Sequence, residues 1–211
     1  MPERLRIAGG DASPALARVT LADHAPQIGS VMGNDARSVI GEALATFGIE
    51  TCTGIVVSAI DQEGATPVDG KRIEADTVVW TAGRRANPLT ALFSVDRDQW
   101  GRIAVDEFLR VKAIADVYAA GDVARMLIDG RHPTAMSCQY ARPMGRFAGN
   151  NAACNLLGVK PLPLRIDWYV TCLDLGPWGA VYTRGRERKV VTRGMAARRI
   201  KRTINFRHLN V

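Results

Sequence analysis

The sequence predicts an α/β fold, and three observations carry the prediction. Apolar, β-prone runs stop abruptly at a glycine or an acid: Val117-Tyr118-Ala119-Ala120 ends at Gly121-Asp122, and Val19-Thr20-Leu21-Ala22 ends at Asp23. Gly33 to Phe47 is helix-periodic, with Val39, Ile40, Ala43, Leu44 and Phe47 at three- and four-residue spacings. Strand and helix patterns then alternate, the order of a sheet with helical crossovers. In open α/β sheets ligands bind beyond the carboxyl ends of strands. Gly121 and Asp122 are therefore the first candidate site residues. The glycine lets a bound group approach the backbone, and the short carboxylate can accept hydrogen bonds from sugar-like hydroxyls.

Composition narrows the class. Of 211 residues, 47% are hydrophobic and 23% charged, a balance that suits a packed globular core. No apolar run approaches the roughly 20 residues that span a bilayer, and Met-Pro-Glu-Arg-Leu-Arg is no secretory leader. Cys52, Cys138, Cys154 and Cys172 are far apart. That spacing argues against a zinc site, a disulfide scaffold and a redox dithiol, and a reduced cytoplasmic setting fits. The formal charge of +7 is local: residues 184–211 hold ten Lys or Arg against the single acid Glu187. The rest of the chain is slightly acidic, and the tail's only aromatic is Phe206, so nucleic acid is not an expected partner.

The elements follow in order. Glu3 to Gly10 reads as a helix end closed by glycines. A strand ends at Asp23, and the helix over 33–47 stops at Gly48. Ile49 to Cys52 begins the next strand, and Ile55 to Ile60 is another. Turns at Asp61–Gly64 and Val68–Lys71 then fold short antiparallel pieces into a hairpin. Ala75 to Pro88 reads as a buried strand opening into a loop at Ala82-Gly83. Pro133 to Gly145 leads into a helix running to about Leu157. Two β-runs flank Gly176-Pro177, where Trp168, Tyr169 and Trp178 read as packing residues. Gly194 to Leu209 reads as a basic amphipathic helix with Ala196, Ala197, Ile200 and Ile204 on one side.

Several of these stretches carry a resemblance. Val117-Tyr118-Ala119-Ala120-Gly121-Asp122 resembles the second flavin-binding motif of two-dinucleotide-fold flavoproteins. Gly101-Arg102-Ile103-Ala104-Val105-Asp106, with Arg110-Val111, resembles the segment that precedes that motif. The order of strand, helix, strand, hairpin and strand up to Gly83 resembles the NAD-binding insert of the same proteins. Cys172-Leu173-Asp174-Leu175-Gly176 is similar to a strand of FAD-containing NADH dehydrogenase subunits. The chain thus resembles the C-terminal part of type II NADH dehydrogenases, within the FAD-dependent pyridine nucleotide-disulfide oxidoreductases.

The resemblance implies an FAD-dependent NAD(P)H dehydrogenase that passes electrons to a quinone or similar acceptor. Its fold would be a partial two-dinucleotide-binding-domain flavoprotein: residues 1–86 a partial NAD(P)-binding lobe, 87–160 the C-terminal part of the FAD lobe, and 161–211 a β-hairpin with a basic tail. Asp122 would hold the ribityl chain of FAD. Cys138, Gln139, Tyr140 and Ala141 would face the ring, Gln139 being the catalytic candidate, and Ala82-Gly83 would pass between the two cofactors. Asp23 would accept the adenosine ribose hydroxyls and favour NADH over NADPH. It reads equally as a helix-capping or solvent-facing acid. The relatives' Ala-Gln-x-Ala-x-Gln pattern beside the quinone is matched at Gln139 and Ala141, but Pro143 replaces its second Gln. Helix N-termini favour negative charge, which suits a reduced flavin above residues 138–141.

No Gly-x-Gly-x-x-Gly occurs in the sequence, and Gly9-Gly10 is too close to Asp23 to leave room for a helix. The expectation is an N-terminally truncated chain that binds FAD weakly. Met195 to Phe206 suits the inner face of an anionic cell membrane, although a helix packed on its own domain fits as well. A non-enzymatic membrane-surface or partner-binding protein is the alternative, and a homo-oligomer is compatible with either reading.

Overall fold

A computed structural model describes residues 18–209, which form two compact units: 18–79 with 168–209, and Trp80–Asp167. The helix end expected over residues 3–10 lies outside the described residues.

In the first unit, β1 (Thr20–Asp23) pairs in parallel with β2 (Glu50–Thr53), Thr20 opposite Glu50 and Asp23 opposite Thr53. Between them runs α1 (Asn34–Thr46), as its periodicity predicts. Ala36, Val39, Ile40 and Ala43 are its buried residues, one face of a 3.6-residue repeat. A small antiparallel sheet follows, β3 (Val57–Asp61), β4 (Gly64–Pro67) and β5 (Ile73–Glu74), in the order β3-β4-β5. Asp61 shapes the first turn by accepting the Glu63 N–H at 2.8 Å, and it pairs with Arg72.

Residues 168–209, which the sequence sets apart as a third piece, fold with residues 18–79. They form three strands where two runs were expected. These are β8 (Val170–Asp174), β9 (Ala180–Arg184) and β10 (Lys189–Arg193), in the order β10-β9-β8, followed by α3 (Gly194–Leu209). Successive strand residues face opposite sides, so neighbouring pairs show what covers each face. Leu173 pairs with Val181, and both belong to the core built on Met32, Ala36, Val39 and Ile40 of α1 and its lead-in. Cys172 pairs with Tyr182 on the other face, and its thiol donates to the Ala197 carbonyl of α3 at 3.8 Å. The sheet thus lies between α1 and α3. Burial pushes the Cys172 thiol pKa up, outweighing the nearby Lys201 cation.

The apolar run from Ala75 through Trp80 to Pro88 is not a buried strand: residues 75–87 have no assigned strand, and Val79 and Trp80 are 69% and 58% exposed. No described strand lies beside it to supply ladder hydrogen bonds, and a β-prone run without a partner has no sheet to join. Beyond a 3₁₀ turn, Pro88–Leu92, comes β6 (Ile103–Ala104), which pairs in parallel with β7 (Ala124–Arg125). Then α2 (Cys138–Leu157) closes on Gly158 in the left-handed conformation.

A buried ion pair anchors the unit. Arg102 is 4% exposed and donates to Asp98 at 2.8 Å and to the Thr134 carbonyl at 2.7 Å. Burial raises the Asp98 carboxyl pKa. The Arg102 N–H, its guanidinium and the Trp100 N–H outweigh that, and the net shift is downward. A depressed folded-state pKa contributes stability above the unfolded value of about 3.9 and loses it as pH falls through the folded value. Acid titration of the chain by near-UV circular dichroism is therefore expected to show a loss beginning below about pH 4. Asp98→Asn should flatten that limb while lowering stability at pH 7. An unchanged acid limb in the variant would show that Asp98 is not the group responsible.

Candidate functional site

The candidate site is assembled in the second unit by a ribbon and a helix. Asp106 folds the ribbon by accepting the N–H groups of Phe108 and Arg110, each at 2.9 Å. Leu109, fully buried, takes a positive φ of 67° at the bend. The Val117–Ala120 run then returns antiparallel to it: the Val111 N–H donates to the Val117 carbonyl at 2.8 Å and the Ala119 N–H to Leu109 at 3.1 Å. The run is extended as predicted, but it pairs with this ribbon through a single bridge, Arg110 to Tyr118, and is no strand of a larger sheet.

At its end the chain turns sharply. Gly121 has φ 77°, a left-handed value that suits glycine, and opens a 3₁₀ turn, Gly121–Val123, that leaves Asp122 exposed. A Cβ built on Gly121 would stand 3.6 Å from the Cβ of Ala141. The turn therefore touches the first turn of α2. Gly121, Asp122 and the run Cys138–Ala141 come together, as the sequence expects of one site.

Ser137 caps α2 through its backbone. Its carbonyl accepts the N–H groups of Tyr140 and Ala141 at 3.0 and 2.9 Å. Its hydroxyl oxygen is buried without a hydrogen-bond partner among the described residues, an orphaned group of the kind a bound polar ligand satisfies. Cys138 is exposed, Gln139 half-buried, and Tyr140 only 2% exposed, so the tyrosine anchors the helix start in the core. Pro143 lies inside the helix. Lacking an N–H, it cannot donate to the Gln139 carbonyl one turn back.

Ala82 and Gly83 are exposed in an irregular segment. Sequence reasoning missed what ties them down: the guanidinium of Arg84 donates to the Met136 carbonyl, directly before the cap of α2. The two residues are 52 apart, and no local pattern announces the bond. Asp23 belongs to the other unit, at the end of β1. There it accepts the Ala25 N–H at 3.0 Å and lies 3.2 Å from His24, a local turn cap with its side chain one-third exposed. No cluster of His, Cys, Asp or Glu suited to a metal occurs among the described residues, and all four cysteines are free.

Comparison with known proteins gives the site a context. A family model described as pyridine nucleotide-disulphide oxidoreductase matches residues 8–145. An NADH dehydrogenase-like protein of Mycobacterium tuberculosis is 48% identical over 209 residues, covering 99% of this chain and 52% of its own length. The type II NADH:quinone oxidoreductase Ndh of the same organism is 32% identical over 153 residues, covering 69% of this chain and 32% of its own length. The chain thus spans about half the length of the first relative and less of the second. Among solved structures, the sulfide:quinone oxidoreductase of Aquifex aeolicus superposes with a TM-score of 0.74 at 14% identity, over 99% of this chain and 52% of that one. An NAD-dependent persulfide reductase from A. fulgidus gives 0.64 at 20% identity, over 82% and 32%. At these identities the two structures bear on the fold alone, a Rossmann-like α/β arrangement.

Proposed function

The chain belongs to the pyridine nucleotide-disulphide oxidoreductase family, and from that premise we propose that it serves as an FAD-dependent NADH dehydrogenase delivering electrons to a quinone. The observation that carries the reading is the contact between the Gly121-Asp122 turn and the first turn of α2 at Ala141. It sets an exposed carboxylate beside a helix N-terminus, an arrangement fit for a ligand with hydroxyls at one end and an electron-rich ring at the other. The unpartnered Ser137 hydroxyl fits the same ligand.

When bound, FAD supplies the electron-transfer chemistry, and the protein supplies position and electrostatics. Asp122 would accept the ribityl hydroxyls, and Gly121 would permit close approach. Gln139, Tyr140 and Ala141, with Cys138, would line the ring, Ala82-Gly83 would separate the two cofactors, and Asp23 would take the adenosine ribose of NADH. Residues 1–86 would form a partial NAD(P)-binding lobe and 87–160 the C-terminal part of the flavin lobe. The quinone is suggested by the names of the relatives.

The finer reading places the chain at an anionic membrane surface on the inner face of the cell membrane, through Met195–Phe206. Exposure of Met195, Arg199 and Arg202 supports it, whereas Ala197 is spent on the sheet and Ile200 and Ile204 are half-buried. No helix among the described residues is long and apolar enough to cross a membrane.

The test is a visible-absorbance titration of the purified chain with FAD. With no Gly-x-Gly-x-x-Gly to cradle a diphosphate, the affinity is expected to be weak and NADH oxidation slow. Asp122→Ala is expected to weaken binding about tenfold, the loss of one charge-assisted hydrogen bond. A flavin spectrum unperturbed by the chain at every concentration would sink the reading.

A further inference from the structure

Arg84 stands outside the motifs that suggest the cofactors, yet it joins two of them. The segment Ala82-Gly83-Arg84 is exposed and belongs to no strand or helix, so backbone pairing does not fix it. Its tie to the unit is the bond from the Arg84 guanidinium to the carbonyl of Met136. Met136 is followed at once by Ser137, whose hydroxyl oxygen is buried and unpartnered among the described residues, and then by the first helical residue, Cys138. The opening N–H groups of a helix have no carbonyl one turn earlier to accept them and carry partial positive charge. A guanidinium held on the carbonyl two residues ahead of that helix adds a full, permanent charge to the same end.

We propose that Arg84 is a positioning residue: it clamps the crossing segment Ala82-Gly83 to the lead-in of α2 and fixes a cation at the helix end where the reduced, anionic flavin ring would lie. The clamp makes the two cofactor-facing segments move as one. The fixed cation strengthens binding of the reduced ring more than of the neutral oxidised ring. This rests on the flavin reading above, and the test has two arms so that the two can fail separately.

The first arm needs no flavin. Amide hydrogen exchange is measured on the chain and on Arg84→Gln, Arg84→Lys and Arg85→Gln, the last removing the neighbouring exposed cation. In Arg84→Gln, exchange of the hydrogen-bonded amides that flank the clamp, Ala86 (to the Trp100 carbonyl) and Tyr140 and Ala141 (to the Ser137 carbonyl), is expected to rise together by about tenfold, as a lost charge-assisted bond allows. Arg84→Lys should recover part of the protection and Arg85→Gln should match the parent, while the melting temperatures of all four stay together. Parent-like exchange in Arg84→Gln overturns the clamp. In the second arm FAD is titrated in its oxidised and dithionite-reduced forms. Arg84→Gln is expected to lose about tenfold more affinity for the reduced form. Equal losses for both forms overturn the role toward the ring. If the parent binds neither form, the flavin reading fails and takes the ring role with it, and the exchange arm alone decides the clamp.

Discussion

Asn151→Ala is expected to destabilise the unit Trp80–Asp167 by about 3–5 kcal/mol. Asn151 is fully buried on α2, and its side-chain amide is saturated. Its Nδ2 donates to the carbonyls of Phe108 at 3.0 Å and Leu162 at 2.8 Å, and its Oδ1 accepts the Leu162 N–H at 2.9 Å. Its backbone carbonyl also accepts the Tyr118 hydroxyl at 3.2 Å. One residue thus joins the helix that begins at the candidate site, the ribbon that leads to Gly121, and the segment after the helix. Truncation leaves two carbonyls and one N–H at a partly buried site without partners, and each costs about 1–3 kcal/mol. In thermal unfolding the unit should melt more than ~10 °C lower. Asn151→Asp keeps the acceptor but turns a carboxylate toward two carbonyls, so it should be no better. A melting point within ~2 °C of the parent for Asn151→Ala would show that the ribbon and helix hold together without the clamp.

That clamp also marks what a single sequence withholds. The helix over 34–46 was legible because its apolar spacing and its use largely agree: of the residues at the predicted spacings, Val39 and Ile40 share the core with Val181, Leu44 packs on it and Ala43 is buried. The turn at Gly121-Asp122 was legible because a β-prone run ending in glycine has few other outcomes. The run through Val79 and Trp80 misled for the opposite reason. Its composition states what it would do beside another strand, and composition does not say whether that strand is there. β10 was merged with its neighbour because the reversal at 185–188 is made partly by Arg188, a non-glycine at φ 54°. Its guanidinium is held by the Tyr169 hydroxyl at 2.7 Å, and nothing within the turn predicts that partner.

At the candidate site the division is similar. Residues that carry a local motif, Gly121, Asp122 and the start of α2, could be named and brought together from sequence. Residues whose role is to connect, Arg84 to Met136 and Asn151 to Phe108, act across 52 and 43 positions. Their chemistry is ordinary, and only the fold gives them a partner. Ser137 carries no motif of its own, and although serine is a common helix cap, here its side chain makes no cap bond.

Gly179→Ala is expected to be strongly damaging to the first unit, costing at least about 3 kcal/mol. Gly179 closes the turn between β8 and β9, its N–H donating to the Gly176 carbonyl at 3.1 Å and its carbonyl accepting the Leu175 N–H at 2.8 Å. Its φ of 124° lies where side chains are rarely tolerated, and a Cβ there would fall 2.3 Å from the carbonyl carbon of Gly194 and 2.5 Å from its oxygen. Those atoms are backbone at the first residue of α3, so no rotamer change relieves the overlap. The turn must open or the helix must move off the sheet. Because α3 is what covers the Cys172 and Tyr182 face, the second course would expose the Cys172 thiol. Its reaction with a maleimide, followed by mass spectrometry, should therefore accelerate in Gly179→Ala along with the fall in melting temperature. Gly149→Ala is the control, since nothing lies within 4 Å of its Cβ position on α2, and alanine there should stabilise the helix by about 0.5–1 kcal/mol. A Gly179→Ala chain that melts like the parent, with Cys172 still protected, would mean that the start of α3 does not hold the sheet as closely as these distances require.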